Sequence, residues 1–489
     1  MENQKTKIIS IASIIVLALT LVTATFAYFM AQTGEGKSTD IKINASTVDT
    51  FTFEAGSALN LSLNQENFAS GKGNQTGTTF AKAMLSANNK TNTATEHYYM
   101  YLNISENTFT YTQDANTPEI LLSIKDGSNN EITSVSGLTY KTVTDGKGAS
   151  IKGFDITKKS GLITILNNRE ITTTSSKTEE WNVTVTFVNY NSNQAGNAGK
   201  NFSAKLMIQK EKIPTVLSDV CTSGNNLATC ITTLSNKSEP SIVNIYHHTS
   251  SLANGAGDNS YRYAGASDSV NNYICLGSDE TTCPEANLFR IIGVFGDKTK
   301  VIRAKSVGDK EWNTSADNTW SSSSLNTYLN GTYLTSLGTI AEKIATTTWK
   351  VGGGSWSNIG VSVPKTAYQY EVGSNASSTP YDAKIGLMYV SDYYYSASPS
   401  AWTLIGSSND ATKDYRAAKT TNWLYLGSYE WTISRLSDRT TSAFFVFSTG
   451  RVDYNTVASS CASRPVFNLL SSVKYVSGSG SMSDPVRIN

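Results

Sequence analysis

Residues 8–29 form one uncharged apolar block, Ile-Ile-Ser-Ile-Ala-Ser-Ile-Ile-Val-Leu-Ala-Leu-Thr-Leu-Val-Thr-Ala-Thr-Phe-Ala-Tyr-Phe, preceded by Lys5 and Lys7 and followed by a long polar chain. A helix rises about 1.5 Å per residue, so this block spans roughly 30 Å, the hydrocarbon thickness of a bilayer. A helix on a globular core needs a polar face, and this block has none. The lysines on its short N-terminal side predict that residues 1–7 are cytoplasmic and that the chain beyond Gly34 lies outside. Residues 1–34 therefore read as a cytoplasmic stub and a single-pass anchor in the cell membrane. Cleavage as a signal after Val22-Thr-Ala24 or Thr25-Phe-Ala27 is the alternative, and would release a secreted chain.

That address shapes the reading of the other residues. At 489 residues the chain has room for about two to three domains. Lys and Arg (40) offset Asp and Glu (39), so no basic excess exists to hold phosphate backbones, and nucleic acid is not an expected partner. Charged residues are 16%, against roughly 25% in ordinary soluble domains. Ser, Thr, Asn and Gly carry the polarity instead, which suits an exported β-rich chain with Thr on outward strand positions and Asn and Gly in turns. The five cysteines are Cys221, Cys230, Cys275, Cys283 and Cys461. Outside the membrane the two close pairs predict disulfides Cys221–Cys230 and Cys275–Cys283. A zinc site is disfavoured, because neither pair has Cys-x-x-Cys spacing and no histidine adjoins them. Cys461 is left over, either as a buried thiol or as a reactive one.

Residues 35–213 read as a β-sandwich. Trp181-Asn-Val-Thr-Val-Thr-Phe187 and Tyr98-Tyr-Met-Tyr-Leu-Asn-Ile104 alternate as strands with one buried face must. Shorter runs at Thr50–Phe53, Ile120–Ile124, Leu162–Leu166 and Lys205–Ile208 add strands, with turn clusters at 71–77, 126–130 and 145–148 between them. Residues 214–285 read as a disulfide-pinned connector, with one or two short helices over 215–238 and a strand at Ile242–Tyr246. Residues 286–489 hold seven of the eight tryptophans and read as an α+β domain of high loop content. There Leu288–Phe295 and Lys300–Ala304 predict a hairpin. Short helices are expected within 322–345, and strands at Ile385–Val390 and Phe444–Phe447. The fold class is thus mainly β, with an α+β C-terminal domain.

Four segments occur in order in that last region: Asn287-Leu-Phe-Arg-Ile-Ile-Gly-Val-Phe295, Thr319-Trp-Ser-Ser-Ser-Ser-Leu-Asn-Thr-Tyr-Leu-Asn330, Trp431-Thr-Ile-Ser-Arg435 and Arg464-Pro-Val-Phe-Asn-Leu469. The series resembles a domain of unknown function common in surface proteins of Firmicutes. That family looks like a variant of the C-type-lectin-like fold shared with formylglycine-generating enzymes. The resemblance covers about two fifths of the chain. It implies that residues just before Arg464-Pro465 line a ligand face, which makes Arg451, Asp453 and Tyr454 candidate contacts. Family members often carry Gly-Val before Arg-Pro, whereas this chain has Cys461-Ala-Ser463. The N-terminal half is similar to camelysin-type exported biofilm fibre proteins, through the apolar leader running into Thr25-Phe-Ala-Tyr-Phe29.

No His-Glu-x-x-His, Gly-x-Ser-x-Gly or Walker loop occurs, and the three histidines are His97, His247 and His248. Adjacent His247 and His248 point to opposite sides of a strand and make a poor metal pair. The resembling enzymes need paired reactive cysteines, for which this region offers Cys461 alone. The acidic signatures of calcium-dependent lectins are also missing. No catalytic residue, metal or cofactor is expected. Aromatics remain: Tyr393, Tyr394 and Tyr395, with Tyr389, Trp402 and Trp423, cluster in a loop-rich stretch with Asp392 and Arg416. Rigid aromatics among small polar residues suit a recognition surface, and equally suit the core of a strand-poor domain. Trp349 and Trp431, among apolar neighbours, read as core. The expected ligand contacts are Tyr393, Tyr394, Tyr395, Trp402, Arg451, Asp453 and Tyr454. The expected function is a tethered, non-enzymatic surface protein binding a carbohydrate or protein. The rival is a fibre or matrix subunit forming homo-oligomers through the β-sandwich.

Overall fold

Alternation of apolar and polar residues gives each N-terminal strand one face to bury. In the structure, a computed structural model that describes residues 49–489 except 65, 66, 68–70, 89–91 and 378, those faces meet in a large core and a smaller cluster around Tyr98. The apolar block at 8–29 and the Thr25–Phe29 segment lie outside the described residues, among which no helix is long and apolar enough to cross a membrane. The chain divides into two units at Lys212/Ile213.

The first unit has ten strands: β1 (Thr50–Ala55), β2 (Leu59–Ser62), β3 (Gln75–Ser86), β4 (Ala94–Asn107), β5 (Ile120–Asp126), β6 (Tyr140–Thr144), β7 (Ser150–Asp155), β8 (Gly161–Thr173), β9 (Ser176–Phe187) and β10 (Asn201–Gln209). They form two antiparallel sheets, in the orders β1-β3-β9-β5-β7-β6 and β2-β10-β4-β8. Trp181, Val183, Val185 and Phe187 of β9 share a core with Met100, Leu102 and Ile104 of β4 and Ile163 and Ile165 of β8. At one side of that core the Trp181 indole donates to the Tyr98 hydroxyl at 2.9 Å, and that hydroxyl donates to Glu179 at 2.7 Å. The turn clusters close on aspartates. Asp126 accepts from the Ser128 and Asn130 amides, and Asp145 from those of Lys147 and Ala149, the Asx geometry that tolerates sharp reversals.

The second unit holds sixteen further strands. They are β11 (Ile245–His247), β12 (Tyr261–Tyr263), β13 (Tyr273–Cys275), β14 (Leu288–Phe295), β15 (Lys298–Arg303), β16 (Asp309–Glu311), β17 (Thr347–Lys350) and β18 (Pro380–Ala383), followed by β19 (Ile385–Gly386), β20 (Glu430–Arg435), β21 (Ser442–Val446), β22 (Val452–Thr456), β23 (Ser460–Ala462), β24 (Val466–Leu469), β25 (Tyr475–Ser477) and β26 (Val486–Ile488). A nine-stranded sheet runs β19-β24-β15-β14-β13-β26-β25, with β12 also on β14 and β11 on β12; a second runs β16-β23-β20-β21-β22. The expected hairpin is β14 and β15, turned by Gly296-Asp297 with Gly296 at φ +62°. Residues 214–285 supply β11, β12 and β13 to the large sheet, so they are built into this unit.

Two local expectations are corrected. Ile242–Tyr246 was expected as a strand, but Pro240–Val243 is a helical turn and β11 starts only at Ile245. Pro240 presets the first helical φ, and Asn244 ends the turn in the left-handed region at φ 56°. The strand expected at Ile385–Val390 stops at Gly386, and Val390–Tyr395 is a helix. Its first free amides have side-chain acceptors: Asp392 takes the Tyr389 N–H at 2.9 Å, and Glu371 takes those of Val390 and Ser391 at 2.8 Å each.

Both expected disulfides are present, Cys221–Cys230 and Cys275–Cys283, and Cys461 is a buried free thiol. The first ties the chain after Lys212 to the amphipathic helix Leu227–Lys237, whose Leu227, Ile231 and Leu234 enter the core. Replacing both Cys221 and Cys230 by Ser is expected to lower unfolding free energy by about 2–3 kcal/mol through the freed loop of the unfolded chain, checked by urea denaturation of the purified protein.

Candidate functional site

The helix Val390–Tyr395 carries the tyrosine run, and its rings point inward. Tyr393 and Tyr394 are fully buried, and Tyr395 and Trp402 are 1% exposed. Each phenol reaches a different segment: Tyr393 donates to the Gly450 carbonyl at 2.8 Å, Tyr394 to that of Ile359, at the end of the helix Trp356–Ile359, at 2.9 Å and Tyr395 to that of Asn254 at 3.2 Å. The Trp402 indole donates to the Ala397 carbonyl at 3.0 Å. The expectation that these four rings line a ligand surface is corrected to a packing role, since no ring face is left open to stack on a sugar. The reason is the loop content of the unit. Loop carbonyls without a ladder partner need donors, and an aromatic ring with a polar tip brings one into the core.

Arg451, Asp453 and Tyr454 behave differently. They belong to the β21–β22 hairpin, whose turn needs Gly450 at φ +97°, held from below by Tyr393. Residues two apart on a strand share a face, so Arg451 and Asp453 lie together and pair at 2.9 Å, with Arg451 over the Phe447 ring. Tyr454 points to the opposite side. There it packs edge-on against Trp356 at 5.2 Å and lies beneath the Arg439 guanidinium at 4.5 Å.

Tyr454 lines an open cleft of about 560 Å³ with Asp438, Arg439, Thr440, Thr441, Ser442, Asn455 and Thr456. The loop that carries Arg439 is held by one buried amide: Asn318 Nδ2 donates to the carbonyls of Leu436 at 2.9 Å, Arg439 at 2.8 Å and Ser442 at 2.7 Å. Arg435 in turn donates to the Asn318 side-chain oxygen at 3.2 Å. The Arg439 guanidinium itself has no ion-pair or hydrogen-bond partner among the described residues. The cleft thus offers a fixed aromatic ring, an unspent planar cation, a carboxylate and a rim of hydroxyls and an amide. That set suits binding rather than bond-breaking.

A larger cleft of about 780 Å³ lies by the 276–277 loop, Arg303 and residues 333–340, and contains none of the expected contacts. One Arg303 nitrogen there already donates to the carbonyls of Lys305 and Ser306. The remaining reactive groups are occupied or shielded. His97 faces Glu170 at 3.5 Å, and His247 stacks on Tyr261 at 4.0 Å. His248 is fully buried against Tyr395 and Trp402, its Nδ1 accepting from the Ala256 amide at 3.1 Å. Burial pushes the Cys461 thiol up to about 12, so it stays protonated and unreactive as a nucleophile. Among the described residues no group of three or more His, Cys, Asp or Glu converges to hold a metal ion.

Sequence reasoning missed Arg439, Trp356 and Asn318. Asn318 stands one residue before the Thr319-Trp320 segment, but no local pattern ties it to a loop more than a hundred residues away. Comparison with models of known protein families finds no match, and comparison with curated protein sequences finds none either.

His248 also gives this region an acid sensitivity. Burial, aided by the Arg262 charge, holds its imidazole well below the ordinary histidine value. Below that ordinary value the unfolded chain takes up a proton that the folded one refuses, so stability falls as pH drops. Between about pH 6.5 and about pH 4 this side chain is expected to remove about 1.4 kcal/mol per pH unit. Denaturation curves at several pH values should show that slope, and His248→Gln should lack it.

Proposed function

We propose that the chain is a membrane-tethered, extracellular, non-enzymatic surface protein whose C-terminal unit binds a carbohydrate or protein ligand. In this reading that unit is a C-type-lectin-like head on a β-sandwich stalk. The observation that carries the proposal is the Tyr454–Arg439 cleft. The phenol ring sits on the β21–β22 hairpin and the unpaired guanidinium over it on a loop that Asn318 holds, so little ordering cost remains at binding. Apolar C–H faces of a sugar stack on such a ring, while hydroxyls meet Asp438, Asn455 and the threonines. A peptide ligand with an acidic side chain would pair with Arg439 instead.

Residues 49–489, applied to glycan and surface-protein arrays, are expected to bind a defined subset. Tyr454→Ala and Arg439→Ala should each weaken that binding roughly tenfold or more, Arg439→Ala with its unfolding curve unchanged. Blank arrays, or variants that bind as well as the parent, would overturn the proposal.

One observation favours a second reading, a fibre subunit. Among the described residues β1 pairs with β3 alone, which leaves one backbone edge of Thr50-Phe-Thr-Phe-Glu-Ala55 without a ladder partner. The opposite case is β8, an edge strand guarded by Arg169 and Glu170 and a bulge at Asn168, φ 54°. If β1 accepts a strand from another copy, electron microscopy of the concentrated protein should show filaments; a strictly monomeric preparation sinks that reading.

A further inference from the structure

Lys300, in the middle of β15, and Asp392, in the helix Val390–Tyr395, stand 92 residues apart in sequence and touch at 2.5 Å between Nζ and Oδ2. Their side chains are 6% and 2% exposed. Three rings wall the ammonium off from water, Tyr389 at 4.8 Å, Phe295 at 5.2 Å and Trp349 at 5.9 Å. Such a site is a poor host for two full charges, since the desolvation of a buried ion pair consumes most of its Coulomb attraction. Burial pulls the Lys300 amine below its ordinary value, with Asp392 opposing. The neighbouring Arg262 is supported by two carboxylates, Asp258 and Asp392. It pairs with Asp258 at 2.6 Å and stands 3.7 Å from Asp392 Oδ1.

We propose that this pair is a self-modification site, at which Lys300 Nζ attacks Asp392 Cγ and closes an intramolecular amide with loss of water. The Nζ–Cγ bond forms and the Cγ–Oδ2 bond breaks. Oδ2 departs as water with two of the three protons of the Lys300 ammonium, the third stays on the amide nitrogen, and nothing is oxidised or reduced. Oδ1 remains as the amide carbonyl. Negative charge that builds on it in the tetrahedral stage faces the Arg262 guanidinium, and the Tyr389 N–H already donates to the departing Oδ2 at 2.9 Å. The fold holds nucleophile and electrophile together in a dry site, which replaces the entropy of a bimolecular encounter. The amide joins the centre of the large sheet to the helix that clamps the Gly450, Ile359 and Asn254 segments. It stands independently of the ligand-binding proposal.

The test reads the denatured chain, so it does not depend on a variant folding. The full-length protein is reduced, alkylated and digested, and its peptides are weighed. The peptides bearing Lys300 and Asp392 are expected as one branched species, lighter than their sum by a single water, with cleavage after Lys300 blocked. The Lys300→Arg chain should yield both peptides separately at their linear masses. Recovery of the parent's two peptides only as separate linear species overturns the proposal and leaves an ion pair. A branched species joining Lys300 to a different residue overturns the assignment to Asp392.

Discussion

The hydrogen bonds that buried aromatic side chains donate to backbone carbonyls of short strands, turns and helix ends hold the C-terminal unit together. Its strands are short, many with three to six residues, so much of its backbone lies outside any ladder. A buried carbonyl left without a donor costs about 1–3 kcal/mol. The indoles of Trp312, Trp349, Trp423 and Trp431 donate to the carbonyls of Thr432, Ala383, Tyr263 and Lys310. Tyr393, Tyr394 and Tyr395 do the same from one helix. Each ring contributes apolar area and a donor at once, which is how a unit poor in regular structure acquires a core. Trp320, Tyr263 and Tyr333 are exceptions, buried with the indole N–H or the phenol hydroxyl unpartnered.

This constraint explains where sequence reading succeeded and where it stopped. Period-two alternation reports burial on one face directly, so β4 and β9 were visible without knowledge of their partners. The close cysteine pairs were legible for the same reason: both ends of each bridge lie within ten residues. The tyrosine run was not. Its composition is compatible with a loop surface, a strand or a core, and the decision rests on Asp392 and Glu371 accepting the free amides at the helix start. One of those acceptors lies about twenty residues upstream. The Tyr454–Arg439 cleft was half legible. Tyr454 was marked through the resemblance, while Arg439 becomes significant only once Asn318 folds its loop back over the hairpin.

The same bracing makes a recognition surface feasible in a loop-rich unit. A loop free to move would lose part of its binding free energy to ordering. Here Gly450 is held by Tyr393, and the loop at 436–442 is held by Asn318. Buried charge adds a second layer of fixation. Glu430 and Arg464 pair in the core, with Arg464 also donating to the Leu424 carbonyl, so the hairpin strands and the Arg464-Pro465 segment share one anchored frame.

The pairing of β13 with β26 has a temporal consequence. Ile274 and Cys275 lie beside Val486 and Arg487 in a parallel ladder, and the amide of Leu227 donates to the carbonyl of Val473. β13 pairs with β14 as well, but it gains its second ladder, and the helix at Leu227 its Val473 partner, only from the final twenty residues of the unit. Synthesis delivers a chain from one end, so the β12–β14–β15 part of the sheet can pair before that last stretch is made. One edge of β13 stays without its parallel partner until β26 has been made.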